Sequence, residues 1–165
     1  MRRFLHHHAK RLLFYEKSPR RLALATSVAL YVAISPFLGL HTIMLVVAGW
    51  LFKLNIPVLI MVSYTVNNPW TMVPLMAGGY YVGYKILHGF LGLSVAALNP
   101  PMMDWINQYI HQYVGISDVS LWAFLLGGNL VGIMVAITMF PVLYWFFKKL
   151  IDQQEADTKQ NEQGK

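Results

Sequence analysis

Leu22 to Phe52 reads LALATSVALYVAISPFLGLHTIMLVVAGWLF, and Leu54 to Tyr84 reads LNIPVLIMVSYTVNNPWTMVPLMAGGYYVGY, with Lys53 between them. Neither stretch holds a Lys, Arg, Asp or Glu. A helix crosses the hydrocarbon core in ~20 residues; each stretch runs to about thirty, long for one crossing and short for two. Both carry helix breakers near the middle. The first has Ser35-Pro36-Phe37-Leu38-Gly39; the second has Asn67-Asn68-Pro69-Trp70-Thr71 and then Pro74. A helix broken at membrane depth frees N–H and C=O groups, which are tolerated only when buried in protein or lining a watery cavity. The expected fold is all-α: a polytopic integral membrane protein with two broken or re-entrant helical segments.

Composition points the same way. Of 165 residues, 56% are apolar and 12% charged, and mean hydropathy is +0.47. A soluble domain is about 25% charged, and a small one has too much surface to hide this apolar content. A soluble enzyme, a disordered chain and a coiled coil are poor fits. The absence of cysteine excludes a disulfide scaffold, a Cys-ligated metal and a thiol nucleophile.

Charge organises the chain into three parts. Residues 1–21 carry seven of the thirteen cations and read as a basic cytoplasmic arm. Within it, residues 4–16 are a candidate surface helix, and Ser18-Pro19 reads as the N-cap and first position of the first membrane helix. Residues 22–150 form the membrane domain. Residues 151–165, rich in Gln, Asp and Glu, read as a disordered cytoplasmic tail. The first apolar run is too long for a signal-peptide core of ~7–15 residues, so it is expected to be retained. Lys148 and Lys149 directly follow the last apolar stretch, and residues 100–120 hold acids but no Lys or Arg. Both termini are therefore expected in the cytoplasm of a bacterial inner membrane. An even number of crossings follows. Either the first two stretches each cross once, giving four in all, or both re-enter and the last two uncharged segments, Ile86 to Met103 and Val119 to Phe147, cross. The basic arm suits anionic headgroups, and without a recognition motif nucleic acid is not expected as a partner.

Little chemistry is on offer. No acid lies between Glu16 and Asp104, which argues against a carboxylate relay or a two-carboxylate hydrolase. No nucleophilic triad, P-loop or dinucleotide fingerprint is present, so no enzyme activity, catalytic residue or cofactor is expected. His6-His7-His8 lacks a further ligand at metal-site spacing, and no metal site is expected. His41 and His88 are the titratable groups near neutrality inside the apolar stretches. His41 is the stronger candidate because it follows the Pro36 break, between Gly39 and Thr42. Ser63, Tyr64, Thr65, Asn67, Asn68 and Thr71 make the densest polar cluster. These groups serve either as interhelical glue or as a ligand path with the freed backbone. The candidate ligand-binding set is Ser35, Pro36, Gly39, His41, Thr42, Asn67, Asn68, Pro69 and Thr71. Gly79 with Gly83, and Gly128 with Gly132, are spaced for close helix packing.

The elements Ser18-Pro19, Pro36 to Thr42, Leu54-Asn55-Ile56-Pro57, Asn68-Pro69-Trp70-Thr71, Pro74 and Tyr80 occur in an order that resembles the bacterial membrane family labelled domain of unknown function 2062. The resemblance runs over roughly residues 10–147 and implies inner-membrane residence. More remotely, Pro36-Phe37-Leu38-Gly39 followed by Ala48-Gly49 is similar to the re-entrant segment of DedA-type lipid scramblases and transporters. That family's acidic residue after Pro-Gly is replaced here by Leu40 and His41.

The expected function is binding or movement of a lipid or small polar solute at a polar site formed by the broken helices. The alternative is a non-transporting membrane scaffold that stabilises a partner or an envelope-synthesis enzyme. Membrane lipids are the expected partners, and the small subunit suits a homodimer.

Overall fold

The computed structural model describes residues 18–37, 39–93, 99–114 and 119–163. The arm up to Lys17, with the His6-His7-His8 run and the candidate surface helix, lies outside the described residues, as do Leu38 and Asp118. Every regular element among the described residues is helical. In chain order these are α1 (Pro19–Ile34), α2 (His41–Leu51), α3 (Ile56–Val66), α4 (Pro69–Tyr84), α5 (Met102–Val114) and α6 (Leu121–Gln163). A single π-helical turn, Lys85–Phe90, extends α4.

Local sequence explains the boundaries. Ser18 stands at the N-cap of α1 and Pro19 at its first position, but the serine side chain makes no capping bond. Pro36 cannot supply the amide that would continue α1. Gly39, at φ +83, takes the left-handed turn that sends the chain into α2. Asn55 caps α3 by accepting from the Val58 amide, with Pro57 in the first turn. Asn68 caps α4 with a reciprocal capping box to Thr71.

Helices α2 and α3 are 11 residues each, about 16 Å long. They form an antiparallel hairpin. Gly49 lies against Ile56 and Leu59 near the Phe52–Asn55 turn, and Thr42 meets Tyr64 at the other end. α6 runs antiparallel to both α1 and α4. Pro36 lies against Gly128 and Tyr31 against Gly132, while Gly79 meets Gly127 and Gly128, and Gly83 meets Ala123. A Cβ on Gly83 would stand 1.9 Å from the Ala123 carbonyl oxygen, so these helices touch backbone to backbone. Gly127 completes this contact: a Cβ there would lie 1.9 Å from the Gly79 carbonyl oxygen.

The main core gathers Leu22, Ala25, Ala29 and Val32 of α1, Leu45 of α2, and Leu54, Val58 and Leu59 at α3, with Phe147 and Ile151 of α6 packed on it. The core is apolar, but so is much of the exterior: Trp50 is 78% exposed, Trp70 89% and Phe90 87%, while Ser35, Ser63 and Ser120 are fully buried. One described helix is long and apolar enough to cross a membrane by itself, Leu121–Ala156 within α6.

Two features depart from the sequence reading. α6 continues as helix to Gln163, through residues expected to form a disordered tail. Gln, Glu, Lys and Ala are good helix formers, and the tail prolongs a helix already nucleated and anchored at Ile151. The uncharged stretch from Ile86 to Met103, one of the segments considered for a crossing, holds only the π turn before Phe90 and the start of α5 among its described residues.

Candidate functional site: two capped helix breaks and an apolar cleft

The structure brings the two helix breaks side by side. The Thr42 hydroxyl is 3.0 Å from the Tyr64 hydroxyl, which joins the start of α2 to the end of α3. At the first break, the His41 Nε2 lies 3.1 Å from the Ser35 carbonyl oxygen. A carbonyl only accepts, so Nε2 carries the proton in this contact. Buried Ser35 offers its hydroxyl oxygen to the Phe37 amide at 3.5 Å. Pro36 is buried against Gly128, and Gly39 is exposed at its turn.

At the second break, Asn68 Oδ1 accepts from the amides of Trp70 and Thr71 at 3.0 and 3.1 Å. Its Nδ2 donates to the Thr65 carbonyl at 3.3 Å. The Thr71 hydroxyl donates to the Val66 and Asn68 carbonyls. The Asn67 amide donates to the Ser63 carbonyl at 2.8 Å. Pro69 occupies the first helical position, where a missing amide costs nothing. Four of the nine sequence-predicted site residues, Ser35, His41, Asn68 and Thr71, thus bond backbone groups at the breaks through their side chains.

An apolar cleft lies elsewhere. A cleft of about 690 Å³ runs between α1, α2 and α6, within the ~300–1,000 Å³ typical of small-molecule sites. Leu24, Val28 and Val32 form one wall, Met44, Val47, Leu51 and Phe52 the second, and Ala136, Ile137 and Phe140 the third. Ser27 and Tyr31 also line it. The Tyr31 hydroxyl is turned to Asn129, donating to its Oδ1 at 2.8 Å. The Ser27 hydroxyl is buried without a hydrogen-bond partner. Sequence reasoning missed this cleft because each wall reads as ordinary apolar helix; the visible signal was the small residues Ala48 and Ala136 on facing helices.

Two exposed cations neighbour the cleft residues in sequence: Arg20 stands one turn before Leu24, and Lys53 follows Phe52. Lys148 and Lys149 follow Phe147, which packs on the core with Leu22 and Leu54, and they line a separate groove with Trp145, Asp152 and Gln153. At the opposite end of the molecule, Asn99 and Asn107 clamp the segment before α6. Both donate to the Val119 carbonyl at 3.0 and 3.1 Å, and they accept from the Leu121 and Val119 amides respectively. Above this clamp α5 shows an exposed Met102–Trp105–Tyr109 face.

No curated protein and no solved structure matches the chain. Residues 2–156 match the family described as "Uncharacterized protein conserved in bacteria (DUF2062)". With nearly the whole length covered, the chain belongs to this family.

Proposed function

We propose that the protein is a polytopic protein of the bacterial inner membrane that binds a membrane lipid, taking an acyl chain into the α1–α2–α6 cleft. The observation that carries this reading is the cleft itself. It is walled almost wholly by apolar side chains and lies on a molecule whose exterior is covered with exposed Trp, Phe, Leu and Ile. In water such a surface would aggregate; in a bilayer it is the lipid-facing side, and a cleft open to it fills from the membrane.

The helix directions supply a topology for this reading. α1 enters from the cytoplasm and α2 returns, so Lys53 joins Arg20, Arg21, Lys148 and Lys149 on the cytoplasmic side. This makes α1–α2 a re-entrant hairpin. α3 and α4 cross together through the Asn67-Asn68 break and deliver Lys85 to the outer side, and α6 crosses back. Both termini are then cytoplasmic, with the cations concentrated inside. α5 lies along the outer interface with its Trp105 and Tyr109 face toward the headgroups.

The mutual capping of polar groups at the breaks favours a second reading, a non-transporting scaffold in which His41, Asn68 and Thr71 hold the fold together. Lipid occupancy separates the two. We expect the protein extracted in mild detergent to carry co-purified phospholipid by mass spectrometry. Ala136→Trp, which fills the cleft from α6, should lose most of that lipid while keeping a cooperative melt. Equal retention by the folded Ala136→Trp protein would overturn lipid binding in the cleft and leave the scaffold.

A further inference from the structure

We propose that the cleft selects lipids with an anionic phosphodiester headgroup, held at its cytoplasmic mouth by Arg20 and Lys53. This inference rests on the lipid-binding reading above and adds the headgroup class. Arg20 and Leu24 are four residues apart on α1, so Arg20 extends the cleft-lining face by one turn. Lys53 directly follows Phe52, the cleft-lining C-cap residue of α2. Both cationic side chains are exposed. Charge complementarity therefore favours an amphiphile whose chain lies among Leu24, Leu51 and Phe140 and whose anionic head sits between α1 and the α2–α3 turn.

A second observation singles out Lys53. It has φ 51, the one positive φ at a non-glycine among the described residues. Gly or Asn would adopt this left-handed backbone more readily. A lysine held there, next to the cleft residue Phe52, carries a conformational cost. Other charges at this end are Arg21, Lys148 and Lys149, with Asp152 and Glu155 one and two turns farther along α6. The balance remains positive, and an anionic head meets net attraction.

The test uses the full chain in mixed micelles containing equal palmitoyl-oleoyl phosphatidylglycerol and palmitoyl-oleoyl phosphatidylethanolamine, with bound lipid counted by native mass spectrometry. The chains are identical, so only the headgroup is compared. The native protein should favour phosphatidylglycerol, and each of Arg20→Gln and Lys53→Gln should reduce that preference by about fivefold. Lys53→Gly should lose the same preference while melting no lower than the native protein, because glycine relieves the backbone. Total bound lipid should change little in these variants. An unchanged preference in Arg20→Gln and Lys53→Gly overturns headgroup selection even if lipid remains bound. Loss of the cleft itself is read separately, by undiminished lipid in Ala136→Trp.

Discussion

The Thr42 and Tyr64 hydroxyls lie 3.0 Å apart and hold the two helix breaks at one level of the molecule. Residues twenty-two positions apart meet because α2 and α3 fold back on each other about the Phe52–Asn55 turn. Around this contact the polar side chains near Pro36 and Pro69 are engaged in capping. A backbone group released in an apolar environment costs several kcal/mol if left alone, on the order of the water-to-hydrocarbon transfer of an amide. His41, Asn68 and Thr71 remove that cost locally.

The capping role of Asn68 predicts a specific hierarchy. Asn68→Ala removes the acceptor for two amides and should destabilise the protein by about 1–2 kcal/mol. Asn68→Ser keeps a capping oxygen and should lose less than half of that. Thermal melting in detergent measures both, and equal losses would contradict the capping account.

His41 is tested by a pair of substitutions. Its ring N–H donates to the Ser35 carbonyl, and Gln retains a donor. His41→Gln should stay near native stability, whereas His41→Leu should lose about 0.5–2 kcal/mol, the range for one interhelical hydrogen bond in a bilayer. If His41 contacts a ligand as well, His41→Gln should fail complementation in the native host at normal protein level.

The glycine contacts give a contrast within one helix. Gly83→Ala drives a methyl into the Ala123 carbonyl and should cost about 3 kcal/mol or more, the upper end of overpacking. A Cβ on Gly78 would meet nothing within 4 Å. Gly78→Ala should therefore be neutral or stabilising by up to about 1 kcal/mol through helix propensity. Melting curves of the two single variants decide it.

Topology is accessible through single cysteines, since the native chain has none. The helix directions predict that an impermeant thiol reagent on intact spheroplasts labels cysteines at Lys85 and Gln108 and spares those at Lys53 and Gln153. Four simple crossings predict the reverse at 53 and 85. Labelling of position 53 from outside would remove the re-entrant assignment of α1–α2.

Much of this protein is written locally. The apolar composition, the uncharged stretches and the placement of Pro36, Asn68 and Pro69 determine an all-helical chain interrupted where it is, because backbone donors and φ restrictions act over three or four residues. The family membership was legible in the same short elements. The spacing of Gly79 with Gly83 and Gly128 with Gly132 likewise announced close packing, though not which helices would meet. The tertiary structure decided that α2 turns back along α1, that Thr42 reaches Tyr64, and that α1, α2 and α6 leave an apolar cleft between Leu24, Val47 and Ile137. No periodicity in an apolar helix specifies these pairings. They arise from steric fit between glycine and alanine faces distant in sequence, and a cleft is the space which that fit leaves unfilled.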